Sequence, residues 1–156
     1  MARPRDPRTI AAANGVGSDK AFGAVTPPLH LSTTYLFAGF EQEGPYAYSR
    51  TANPTRDQLA DTLAKLEGGA GAVVTSSGMA AVDLVLAQVP HGRLIVAPHD
   101  CYGGTYRLLA ARAERGQFEL AFVDQSDPAA VAGALARGPA LLLIETPSNP
   151  LLRVVD

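Results

Sequence analysis

The sequence predicts an α/β fold built on a mainly parallel sheet. Short, nearly continuous apolar runs alternate with longer stretches of helical periodicity. Strands covered on both faces have this apolar character, and the intervening helices supply the crossovers that parallel strands require. A chain of 156 residues with 47% hydrophobic content can also bury a core. The predicted strands are 72–75, 93–97, 118–123 and 140–144.

Helices are predicted before and between these strands. Thr55 is the expected cap of a helix that continues through Leu59, Leu63 and Leu66 and ends at Gly68-Gly69. Asp127 caps another, with Pro128 at its first position. From Gly15 to Pro45 no period is sustained, which favours a long extended segment that has a function or contacts a partner chain. The remaining predicted helices are 7–14, 80–89 and 105–115.

Charge and composition exclude several classes of protein. Thirteen basic and fifteen acidic residues leave a net charge of -2 with no basic stripe, so neither nucleic acid nor a membrane surface is an expected partner. No apolar run approaches the ~20 residues that a membrane-spanning helix needs. Cys101 is the sole cysteine, and no leader pattern begins the chain, so we expect a cytoplasmic protein.

An anion site is predicted where the first strand leads into a helix. Ser76, Ser77 and Gly78 separate the two elements, so the backbone N–H groups of the first helical turn have no partner within the helix. Ligands of parallel sheets collect beyond the carboxyl ends of the strands. Polar residues also follow the other predicted strands, so we expect all of these strand ends to lie along one edge of the sheet. The polar runs are 98–102, 124–125 and 145–150.

A second candidate element is the polar and aromatic run 46–55. Arg50 carries a fixed planar charge that suits a phosphate, and Tyr48 lies two residues before it. Taken alone, an arginine is more often a solvated surface charge, and a tyrosine more often packs half-buried. Their spacing beside Asn53-Pro54 favours a function.

These motifs, in this order, resemble those of the pyridoxal-phosphate-dependent enzymes of transsulfuration. The resemblance implies the large domain of the aspartate-aminotransferase type (fold type I), incomplete and preceded by an extended arm. On this basis 1–55 is the arm that contacts a neighbouring subunit, and 56–156 is the first part of the cofactor-binding domain. The motifs are 48–50, 53–55, 77–79, 97–104 and 147–150.

The resemblance also implies roles for individual residues. Ser77, Gly78 and Met79 match the residues that hold the cofactor phosphate. Tyr48 and Arg50 match a pair that reaches the same phosphate from the neighbouring subunit, and Tyr48 also faces the substrate. A shared site of this kind implies a homo-oligomer, a tetramer built from dimers, that acts on small amino-acid substrates.

Three more assignments follow from the resemblance. Tyr102 matches the tyrosine that stacks on the pyridine ring and takes part in proton transfer. Asn149 matches the asparagine near the ring 3-hydroxyl, and Arg107 an arginine near the distal group of the substrate. The implied reaction is γ-replacement, in which cysteine displaces the ester group of an activated homoserine.

The chain departs from the family pattern in its lysines. The family binds its cofactor through a lysine, but Lys20 and Lys65 are the only lysines here and neither matches it. We therefore expect this to be the N-terminal part of a longer enzyme, inactive by itself. Ala47 and Thr51 also differ from the acidic residue and the second arginine that the synthases of the family tend to carry at these positions, which leaves the γ-lyases and sulfhydrylases of the family open.

Other interpretations remain for the chain and for its nucleophiles. A non-catalytic phosphate-binding module and an assembly fragment are the alternatives from other classes. No general base is evident for Cys101, so we expect a buried structural thiol. His30, His91 and His99 lack the spacing of metal ligands, so no metal is expected, and His99 is predicted to make a structural contact at a strand end.

Overall fold

A computed structural model describes residues 6–155 as parts of two compact units, Met1–Val74 and Thr75–Asp156. We call them the arm unit and the sheet unit. The predicted boundary followed residue 55, whereas the boundary between the two units follows residue 74, because the second helix belongs to the first unit. The helices are α1 (Pro7–Ala13), α2 (Pro54–Glu67), α3 (Gly78–Leu86), α4 (Gly103–Glu114) and α5 (Pro128–Leu135), and the strands are β1 (Leu94–Pro98), β2 (Glu119–Val123) and β3 (Leu141–Leu142).

In the arm unit, α1 joins α2 through polar side chains. The Asn14 amide donates to Asp61 Oδ2 at 2.9 Å and to Thr62 Oγ1 at 2.7 Å, and it accepts from Lys65 Nζ at 2.9 Å. Neither helix has a buried residue. The hydrogen bonds, rather than an apolar core, therefore hold the two helices together.

The cap of α2 corrects one prediction. Asn53, not Thr55, caps the helix: its side-chain oxygen accepts from the N–H of Thr55 at 2.9 Å, and Pro54 occupies the first helical position. Asparagine is among the best capping residues, and proline suits the position after it because no N–H is needed there. The Thr55 hydroxyl instead accepts from the N–H of His30 at 2.9 Å.

The segment between α1 and α2 is irregular, as predicted. Among the described residues its ladder contacts are two isolated antiparallel bridges, Thr34 with Tyr48 and Gly39 with Gln42. The Thr34 bridge brings the middle of the arm beside the run that carries Tyr48 and Arg50.

The sheet unit contains a parallel sheet in the order β2-β1-β3. The central strand β1 pairs over its whole length with β2, and through Ile95 and Val96 with β3. All five residues of β1 are buried. The predicted α/β class and parallel sheet are confirmed, although β3 is shorter than the predicted strand.

Alternate residues of β1 face opposite layers of helices. Ile95 and Ala97 pack with Leu86 of α3 and Leu109 of α4. Leu94 and Val96 pack with Ala134 of α5 on the other face. This period of two explains why β1 is apolar throughout, since both of its faces are covered.

The predicted strand 72–75 is not a strand among the described residues. Val73 is 76% exposed, and the backbone of the segment pairs with no other described strand. A β-branched sequence forms a strand only where another strand completes its hydrogen bonds. No described helix combines the length and apolar character needed to cross a membrane.

Candidate functional site

The carboxyl ends of the three strands meet at one edge of the sheet. The N–H of His99 donates to the carbonyl of Val123 at 2.9 Å, and its ring Nδ1 lies 3.2 Å from the same oxygen. The Gln125 amide donates to the carbonyl of Leu143 at 2.6 Å. The shared edge is thus confirmed for the ends of β1, β2 and β3, and so is the structural contact of His99. The fourth predicted tip, 75–78, follows no strand among the described residues.

The N-terminus of α3 presents unpaired backbone donors near this edge. The Ser77 hydroxyl caps the helix by accepting from the N–H of Ala80 at 3.1 Å, and Thr75 Oγ1 donates to the Ser77 carbonyl at 2.9 Å. Within residues 6–155 the N–H groups of Gly78 and Met79 have no acceptor. Two donors at the positive end of a helix dipole can bind an anion there.

The side chain of Met79 links this helix to the start of α4. Its sulfur lies 3.9 Å from the hydroxyl of Thr105, which is buried. It also lies 3.2 Å from the point where a Cβ on Gly104 would stand, and the ring of Tyr102 borders that same point. The structure therefore brings the side chain of Met79, a residue of the predicted anion site, close to the ring of the predicted stacking residue.

Tyr102 stands immediately before α4 with its ring accessible. Its side chain is 52% exposed and makes no capping hydrogen bond. Its backbone N–H donates to Glu145 Oε2, beyond β3, at 2.9 Å. The backbone of Tyr102 is therefore anchored while about half of the residue stays accessible.

Arg107 lies one turn further along α4 and is exposed. Its Nη1 approaches within 3.2 Å of the position that a Cβ on Gly103 would take. The guanidinium therefore folds back towards the N-terminal end of the helix, the same end as Tyr102.

The loop that carries Asn149 is tied to the strand ends by Arg153. Buried Ser148 and Arg153 exchange two hydrogen bonds, with the Ser148 N–H donating to the Arg153 carbonyl at 2.9 Å. Arg153 Nη1 lies 3.2 Å from His99 Nε2 and 3.9 Å from carboxylate oxygens of Asp100 and Asp124. Asn149 itself is exposed.

The sequence carried no signal for the contacts of Arg153, because they join residues far apart in the chain. Glu145 was recognisable as a polar residue at a strand end, but its acceptance of the Tyr102 N–H depends on the order of the strands.

In the arm unit, Tyr48 and Arg50 lie together. The Arg50 guanidinium carbon is 5.2 Å from the centre of the Tyr48 ring, within the range of a cation–π contact. Both side chains are exposed. Their assignment to a cofactor phosphate stays a prediction.

The electrostatics of Cys101 match a structural thiol. Burial raises its pKa above the ordinary value of 9.0, and the negative charges of Glu145 and Asp100 add to this effect. A raised pKa leaves little thiolate at neutral pH, so the group is a poor nucleophile.

Asp124, at the end of β2, has a pKa shifted in the opposite direction. Hydrogen bonds from Ser126 lower it, so this carboxylate stays charged beside Arg153.

Comparison with known proteins identifies the family. The model of the Cys/Met metabolism PLP-dependent enzymes matches residues 8–156. Cystathionine gamma-synthase of Escherichia coli K12 is 54% identical over 97% of this chain and 40% of its own length. Cystathionine gamma-lyase of Bacillus subtilis is 38% identical over 96% of this chain and 39% of its own length.

A solved structure agrees with these relatives. Cystathionine gamma-synthase of Xanthomonas oryzae, in complex with aminoacrylate and cysteine, superposes with a TM-score of 0.94 at 51% identity, covering 98% of this chain and 40% of that one. The chain spans about 40% of the length of the curated relatives it matches. Its fold is the corresponding part of a fold type I domain. The chain belongs to the pyridoxal-phosphate-dependent enzymes of cysteine and methionine metabolism.

Proposed function

We propose that the protein containing this chain is a pyridoxal-phosphate-dependent enzyme of γ-replacement. It joins cysteine to an activated homoserine, such as the O-succinyl or O-acetyl ester, to form cystathionine for methionine biosynthesis. The bond between Cγ and the ester oxygen breaks, the carboxylic acid leaves, and the cysteine sulfur bonds to Cγ.

One comparison carries this proposal. Identity is 54% to the γ-synthase of E. coli and 38% to the γ-lyase of B. subtilis, over nearly the same part of the chain. The X. oryzae relative has also been solved in complex with cystathionine, at 52% identity.

The residues at the edge of the sheet unit fit the family's cofactor. Pyridoxal phosphate supplies the electron sink that stabilises a carbanion when it is bound. The free N–H groups of Gly78 and Met79, with Ser77 beside them, suit its phosphate. The ring of Tyr102, near the Met79 side chain, can offer a flat face to an aromatic ligand.

Family membership supports the remaining proposed roles. Tyr102 assists proton transfer at the substrate, Asn149 binds near the ring 3-hydroxyl, and Arg107 binds the distal group of the ester. Tyr48 and Arg50 complete the phosphate site from a neighbouring subunit, with Tyr48 also facing the substrate. A homotetramer built from dimers then follows, and dilution to single subunits should release the cofactor.

The test is a product analysis with the purified full-length enzyme. With O-succinylhomoserine and cysteine we expect cystathionine by mass spectrometry; without cysteine, slow release of a 2-oxo acid. Tyr102→Phe should lower kcat about 100-fold if its hydroxyl moves a proton. Tyr106→Phe is the matched control, because Tyr106 lies in the first turn of α4, close to Tyr102 in the chain, but its ring stacks on Phe122 with the ring centres 4.6 Å apart.

A γ-lyase is the second candidate, favoured by Ala47 and Thr51 in place of the residues typical of the synthases. If the enzyme consumes cystathionine and forms none from O-succinylhomoserine and cysteine, it is a γ-lyase and not a γ-replacement enzyme.

A further inference from the structure

The position of the Tyr102 ring depends on a glycine two residues later. A Cβ on Gly104 would stand 2.5 Å from Tyr102 Cε1 and 3.1 Å from Cδ1, and 3.2 Å from the sulfur of Met79. These separations are shorter than ordinary contacts between carbon atoms, which are near 3.5–4.0 Å. The ring occupies its place only because residue 104 has no side chain.

Backbone geometry does not explain this glycine. Gly104 lies in the first turn of α4 and does not have a positive φ. Glycine is a poor helix former compared with alanine. The space taken by the ring and the sulfur is the remaining physical reason for a glycine at this position.

The preceding glycine provides a contrast within the same turn. A Cβ on Gly103 would meet only Arg107, with Nη1 at 3.2 Å and Cζ at 4.0 Å. These atoms are the end of a long, exposed side chain that can move aside at little cost. The two neighbouring glycines therefore differ in whether a methyl group displaces the Tyr102 ring.

A second contact fixes the backbone of Tyr102. Tyr102 has no side-chain cap of its own, and its N–H is held by the Glu145 carboxylate at 2.9 Å. A charged acceptor at the N-terminal end of a helix makes a stronger hydrogen bond than a neutral one.

We propose that Gly104 and Glu145 are positioning residues for Tyr102: Glu145 anchors its backbone, and Gly104 leaves the space in which its ring lies against Met79. The inference rests on the proposed function, in which this ring stacks on the cofactor. Neither residue needs to touch the cofactor or the substrate for this role.

The first experiment compares Gly104→Ala with Gly103→Ala in the full-length enzyme. We expect Gly104→Ala to weaken cofactor binding about fivefold, the scale of a lost aromatic stacking contact, and to change the circular dichroism of the bound cofactor. A crystal structure of the variant should find the Tyr102 ring displaced. Gly103→Ala should bind cofactor within about twofold of the wild type.

A double-variant comparison tests the steric argument without the cofactor. In the apoenzyme, Gly104→Ala should lower the melting temperature when Tyr102 is present. In a Tyr102→Ala background the same change should be neutral or raise it, because the clash with the ring is gone, the flexible Met79 side chain can yield at its 3.2 Å contact, and alanine favours the helix. This comparison requires only that each variant shows a melting transition. It therefore gives a result even for a variant that no longer binds the cofactor.

Glu145 has its own pair of variants. Glu145→Gln keeps an oxygen acceptor and should retain more cofactor affinity than Glu145→Ala. Equal losses in the two variants would remove Glu145 from the proposal.

An undisplaced Tyr102 ring in the Gly104→Ala variant would overturn the role of Gly104. The same change in melting temperature with and without Tyr102 would also overturn it. A wild-type enzyme that binds no cofactor would instead refute the proposed function, with the melting comparison still deciding the role of Gly104.

Discussion

The arm unit and the sheet unit differ in where their apolar side chains go. In the sheet unit the central strand is buried along its whole length, and Ile95 and Leu109 are fully inaccessible. In the arm unit α1 and α2 bury no residue, and Leu31, Leu36 and Phe40 are more than 90% exposed. The sheet unit is stabilised by its own core, whereas the arm carries apolar surface that this chain leaves uncovered.

The arm depends on side-chain hydrogen bonds instead. Besides capping α2, the Asn53 amide lies 2.9 Å from Ser49 Oγ, 3.1 Å from the His30 carbonyl and 3.3 Å from Tyr35 Oη. One polar side chain thus joins three parts of an irregular segment.

The largest effect should come from the core of the sheet unit. Leu109→Ala removes a fully buried side chain that packs on β1, so we expect a loss of about 2–5 kcal/mol in the free energy of unfolding. Urea denaturation of the full-length protein measures it. Leu109→Met, which nearly conserves volume, should cost less than about 1.5 kcal/mol. Equal losses in both variants would contradict a tightly packed core.

Leu36→Ala tests the proposal that the arm contacts a neighbouring subunit. Leu36 is 97% exposed, so the change should leave the folding of the chain itself intact. If the side chain is buried between subunits, losing about 1.5–3 kcal/mol should weaken association roughly 10- to 100-fold. Analytical ultracentrifugation measures this, with Leu36→Met as the apolar control. Unchanged association would exclude this residue from the interface.

Capping residues should show the same contrast on a smaller scale. Asn53→Ala removes a cap and three further contacts, so we expect a loss of about 2 kcal/mol, the upper end for such changes. Ser77→Ala removes one capping bond in the sheet unit and should cost about 1 kcal/mol. The comparison uses thermal unfolding. A larger loss for Ser77 would mean that hydrogen bonds matter less to the arm than the structure implies.

The smallest effect concerns pH and Cys101. Because burial raises the pKa of its thiol in the folded state, the unfolded chain loses this proton first as pH increases. The resulting contribution to stability is complete below pH 9.0 and declines as pH rises through the higher folded value. Cys101→Ala should therefore reduce the decline in urea midpoint between pH 8 and 10. If the urea midpoint of Cys101→Ala falls as much as that of the wild type, other titratable groups cause the pH dependence.

The predictions from local pattern were accurate where one element decided the outcome. The period of α4, the proline and aspartate at the start of α5 and the apolar run of β1 each predicted its element closely. The strand predicted at 72–75 failed because a strand also needs a neighbour, which no local pattern encodes. The cap of α2 was misplaced by two residues, since Asn53 and Thr55 are both good caps and only the backbone conformation distinguishes them.

For the proposed site, the sequence by itself determined the candidate residues, whose roles stay predictions: the donors at Gly78 and Met79, the ring of Tyr102, and the pair Tyr48 and Arg50. The tertiary structure decided what surrounds them. Tyr102 and Glu145 become neighbours only when β3 pairs beside β1. The Met79 sulfur comes close to Gly104 and the Tyr102 ring only when α3 packs beside α4. Motifs are local and can be read along the chain, but the position of a ring depends on contacts between distant segments.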